Sequence, residues 1–188
     1  MTSEDIDGSP GAGRSLVAAF DHVWSRFTDR LAGLGNDEYF WAPLPGCWSL
    51  RRDQNGRWTL DGHGGDGPAP DPLPITTIAW RIGHVGGLAL GGFAARRFGD
   101  GAIASDDIEF PGRAPDVHTF LDGNYRRWRD GLVALSDAEW WLPLGEGWGP
   151  YAESSTADLA LHVLDELVHH GAEIGLLRDL YLHRAALG

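Results

Sequence analysis

The sequence predicts an all-α fold, a four-helix bundle with long inter-helix loops. Three observations predict it: four stretches of helical apolar periodicity, Pro- and Gly-rich segments between them, and an internal repeat relating the first two helices to the last two. At 188 residues the chain suits one domain with a sizeable core. Residues 1–13, MTSEDIDGSPGAG, read as a disordered acidic tail and 14–188 as a single domain.

The first helix is expected from about Arg14 to Leu34, where Leu16, Phe20, Val23, Trp24, Phe27, Leu31 and Leu34 recur on one face. Gly35 and Asn36 stop it, a short acidic turn follows, and Pro43 and Pro45 forbid a continuing helix. From Ser49 to Pro74 no periodicity is visible, and the segment reads as a long loop. The second helix begins near Ile75 with Thr76 or Thr77 as cap and ends by Gly99, apolar on most of its circumference. Its glycines at 83, 86, 87, 91 and 92 each cost roughly 1 kcal/mol against Ala, a loss that tight backbone approach to a neighbour would offset. After a linker with Pro111 and Pro115, a third helix runs from about Asp116 to Leu135, and a fourth occupies Asp158 to Tyr181.

LGNDEYFWAPLPGCW after the first helix matches LSDAEWWLPLGEGW after the third, with one gap. Glu38 pairs with Glu139, Trp41 with Trp141, Pro43-Leu44 with Pro143-Leu144 and Trp48 with Trp148. The match implies two helix-loop-helix halves related by a pseudo-twofold, with helices two and four face to face.

The fourth helix packs His162, Glu166, His169, His170 and Glu173 into three turns. On a helical wheel His170 falls inside the apolar arc with Leu167 and Ile174, so it points into the core. A buried imidazole needs a hydrogen-bond partner or a metal, and Glu166 one turn earlier is placed to share either. His84, between Trp80 and Leu88, would meet this pair across the bundle axis if the halves pack as the repeat implies. Taken alone, His84 reads first as a core histidine bonded to a backbone carbonyl, and Glu166 has the alternative of a rim carboxylate paired with Arg81 or Arg178. His162, His169 and Glu173 fall on the wet face, and Cys47 reads as a passive thiol with no base beside it.

A net charge of -12 and the lack of any basic stripe argue against nucleic acid or an anionic membrane as partner. No apolar run is long enough to span a bilayer, and one cysteine fits a reducing cytoplasm. Nine tryptophans imply a core with large flat surfaces or a pocket lined by them.

TTIAWRIGHVGG, followed far downstream by LHVLDELVHHGAEIGLLRDLY, resembles the DinB-like superfamily of metal-binding four-helix bundles, which includes YfiT-like proteins and the mycothiol-dependent maleylpyruvate isomerases. The resemblance covers nearly everything after the N-terminal tail. It implies a divalent metal held by His84, Glu166 and His170, a His/Glu/His set like that of the isomerase branch where many relatives have His at the middle position. Zinc is the first candidate, with nickel, iron or manganese compatible with the same ligands. The implied function is a metal-dependent transferase or isomerase acting on a small molecule with a low-molecular-weight thiol. His162 is the candidate catalytic base, and Trp48, Trp80, Arg81 and Trp148 are candidates for the cofactor pocket. The lack of lysine resembles residue usage in high-GC bacteria, where mycothiol is the natural thiol. Relatives often dimerise through bundle helices, which makes a homodimer the expectation here. The competing readings are a non-catalytic metal- or ligand-binding bundle and a bundle without metal.

Overall fold

The computed structural model describes residues 11–62 and 70–186; the expected N-terminal tail lies outside them up to residue 10. The order is α1 (Ala12–Arg30), α2 (Asn36–Tyr39), β1 (Leu50–Arg52), β2 (Trp58–Leu60), α3 (Ile78–Ile82), a π-helical segment (Gly83–Gly92), α4 (Phe93–Phe98), α5 (Val117–Val133) and α6 (Thr156–Leu182), with short 3₁₀ turns in the loops. Helix α3, the π segment and α4 form one rod, so the long elements are the four expected. Among the described residues no helix is long and apolar enough to cross a membrane.

Each long helix buries the face its periodicity marks. Phe20 and Phe27 of α1 with Leu31 just after it, Leu121, Trp128 and Leu132 of α5, and Val163, Leu167 and Ile174 of α6 meet in one core with Ile82, Val85 and Leu90 of the rod. Each such side chain contributes about 1.5–3 kcal/mol of transfer free energy. Helix α1 packs on α5 and α6, and the π segment packs on the same two helices. The stacked rings of Trp24 and Tyr125, 4.1 Å apart, and the hydrogen bond from Arg30 to the Gly175 carbonyl tie α1 to both.

Helix ends follow local chemistry. Thr77 caps the rod by accepting from the Trp80 N–H, and Ser155 caps α6 in a reciprocal box with Asp158. Each half has a capped helix entered through an isolated bridge, Trp48 with Thr76 and Pro143 with Ser155, as the repeat implies.

Four expectations need correction. The acidic turn at Asn36 is the one-turn helix α2. The loop from Ser49 contains an antiparallel hairpin, Leu50 paired with Leu60 and Arg52 with Trp58, turned by Asp53 and a Gly56 of positive φ. Its strands are too short for alternation to register. Helix α1 starts at Ala12, and its first turn packs closely on the Trp140 indole, where a Cβ on Gly13 would come within 2.2 Å of Nε1. The middle of the second helix is π-helical and not α-helical.

The π segment approaches its neighbours as its glycines require. A Cβ on Gly86 would meet Phe120 at 2.6 Å and Leu121 at 2.8 Å; one on Gly91 would meet the Asn124 side chain at 2.6 Å. Gly86→Ala is therefore expected to destabilise the fold by about 1–3 kcal/mol through overpacking. Gly123→Ala, on α5 with open space around it, is expected to stabilise by about 0.5–1 kcal/mol. Urea titrations of the two variants give the signs.

Candidate metal centre

The rod and α6 run antiparallel, because His84 meets Glu166 and His170 while Phe93, further along the rod, meets His162, earlier on α6. The π geometry makes both contacts possible. At about 100° per residue Phe93, nine positions on, would face away from His84; at about 4.4 residues per turn, which i→i+5 bonding gives, it returns to the same face.

His84, Glu166 and His170 each offer a ligand atom, and these atoms all lie within 4.8 Å of one another. Glu166 Oε2 is 2.8 Å from His84 Nε2 and 3.2 Å from His170 Nε2, and the two imidazoles stand perpendicular with centroids 4.8 Å apart. Bonds of about 2.0–2.2 Å at tetrahedral angles would put ligand atoms roughly 3.3 Å apart, so the donor set fits a divalent ion of zinc type. His170 is buried; His84 and Glu166 keep about a fifth of their side-chain surface, which leaves the trio open on one side.

The other nitrogen of His170 fixes which edge faces the trio. Its Nδ1 lies 2.5 Å from Glu173 Oε2, and Arg81 donates to the same oxygen at 2.8 Å. Arg81 Nη1 also lies 2.9 Å from His170 Nδ1, so Glu173 and Arg81 together anchor the Nδ1 edge of the ring and turn Nε2 toward Glu166. The expectation that Glu173 is solvated is thus corrected: it is two-thirds buried and joins His170 to the rod.

His84 is held by stacking. The Trp80 indole lies on the imidazole at 5.0 Å and 8°, Trp48 lies against Trp80, and Trp80 donates from Nε1 to the Asp61 carbonyl at 2.9 Å. Two of the three tryptophans expected at a cofactor pocket, Trp48 and Trp80, therefore form a wall behind His84. Arg81, 18% exposed, borders the trio. Trp148 sits apart, on Phe93, in a cavity that also includes His162. His162 is exposed, one turn before Glu166. His169 is exposed too, as expected, with Nε2 3.4 Å from Glu173. It forms a second candidate group with His170 and Glu173, but the Arg81 guanidinium already occupies that side and disfavours another cation. Arg178, considered as a partner for Glu166, binds Glu38 instead, and Cys47 is buried.

Electrostatics keep Glu166 ionised. Burial pushes its carboxyl up, but the hydrogen bond from His84 and the charges of His84, His170 and His162 outweigh this and hold it below the usual range. Burial lowers Arg81, against the carboxylates of Glu173 and Glu166 that raise it.

A family model described as the DinB superfamily matches residues 19–174, a span that contains all three residues of the trio. No curated protein and no solved structure matches the chain.

Glu173 was hidden by its place on the polar arc; only the position of Arg81 across the seam reveals it. If the trio holds a divalent ion, Glu173→Ala should lower the affinity for it by about 10–100-fold, as loss of a carboxylate behind a metal-bound imidazole does, with the far-UV spectrum unchanged. Competition with a chromophoric chelator measures it.

Proposed function

We propose that the chain, which belongs to the DinB superfamily, is a divalent-metal-dependent enzyme that uses a low-molecular-weight thiol to transfer or isomerise a small molecule. The convergence of His84, Glu166 and His170 from two helices is the observation that carries this reading. Zinc is the ion we favour, and mycothiol the thiol.

Three protein ligands leave room for a further one, and an ion bound there would supply Lewis acidity and lower the pKa of a thiol or water it takes up. The chain's own residues do the rest. Glu173 and Arg81 hold the His170 ring by its Nδ1 edge so that Nε2 faces Glu166. The Trp48 and Trp80 rings keep the His84 imidazole in one plane and shield it from water. Arg81 supplies fixed positive charge beside the trio, suited to an anionic substrate group. His162, exposed and one turn from Glu166, is the side chain we assign to carrying a proton between the site and solvent.

Protein purified without a histidine tag should contain near-stoichiometric divalent metal, and His84→Ala and His170→Ala should both lose it. A panel of thiols with small electrophiles should then give a rate that a chelator abolishes and the metal restores. Metal without any such rate would make the protein a metal binder without chemistry, and an absence of metal would end the reading altogether.

A further inference from the structure

We propose that the cavity beside the metal centre binds a one- or two-ring aromatic carboxylate, its rings held among Phe93, Trp148 and Tyr151 and its carboxylate on Arg96. The cavity has a volume of about 390 Å³, in the range of small-molecule sites, and lies between the start of α4, the Trp148 turn and the first turns of α6. Its walls are aromatic: Phe93 and Trp148 lie 24° from parallel with centroids 6.1 Å apart, and Tyr151 lines it while keeping 65% of its surface exposed. Flat apolar walls select a flat apolar body.

Arg96 supplies the charge. Its guanidinium lies 4.1 Å over the Trp148 ring and gives one N–H to the Gly147 carbonyl at 2.5 Å, so donors of the fork remain for a carboxylate. The one acidic residue of the lining, Asp158, is turned to the helix cap, where its Oδ2 accepts from both the N–H and the hydroxyl of Ser155 at 2.7 Å. A single guanidinium suits a monoanion better than a phosphate. At the cavity's other edge His162 lies over Phe93, roughly 6 Å along α6 from Glu166, so a bound ring reaches toward the trio. Calling this ligand the substrate rests on the metal-centre reading, whereas its binding does not.

The probes are 2-naphthoate and its neutral counterpart 2-naphthamide, titrated against the full chain by calorimetry and tryptophan fluorescence. Saturable binding of naphthoate is expected, with naphthamide at least tenfold weaker. Arg96→Gln should weaken naphthoate at least tenfold and leave naphthamide unchanged. Tyr151→Ala, an exposed position whose loss does not threaten the fold, should weaken both. His84→Ala should bind naphthoate as the unaltered chain does, so failure of the metal reading leaves this result standing. No saturable binding, equal affinity for acid and amide, or indifference to Arg96→Gln would overturn the proposal.

Discussion

The close approach of the π segment to α5 is the constraint from which the site follows. Gly86 and Gly91 let the rod's backbone rest on Leu121 and Asn124 with no side chain between. The widened turn that this packing accommodates rotates His84 and Phe93 onto one side, toward α6. Glycine-rich helix is weak by propensity, and here packing against α5 and α6 offsets that weakness. Moving each hydrogen bond from i→i+4 to i→i+5 changes which residues share a face, and that is how His84 and Phe93, nine positions apart, serve one seam.

Charge in the seam is arranged as a relay of neighbours. Glu166 stands between two imidazoles, His170 between Glu166 and Glu173, and Glu173 between His170 and Arg81. Each group is at least partly withdrawn from water, and an isolated charge there would be costly. Sharing across five side chains keeps any one of them from being left alone, and it turns His170 Nε2 toward Glu166.

Much of this was readable in the sequence. The four apolar periods, the inward turn of His170 and the convergence with His84 follow from spacing and from the internal repeat, because burial of a large apolar face dominates where a helix goes. What escaped depends on smaller or longer-range effects. The hairpin at Leu50–Leu60 is held by backbone pairing and by Asp61, which accepts from Arg51 and from the Ser49 N–H, none of which leaves a period. The π segment obeys a different angle from the wheel used to read it. Glu173 gained its role from Arg81, 92 positions earlier in the chain, and no local pattern encodes such a partner.

The bundle's main helix contacts have one more property. Helices α1 and the rod come from the first half of the chain and α5 and α6 from the second, and α1 and the rod each lean chiefly on the other half. The two halves are therefore interleaved, like clasped fingers, and neither encloses its own apolar faces. One half expressed by itself would have to find a twin, and the present chain has the architecture of such a pair joined end to end.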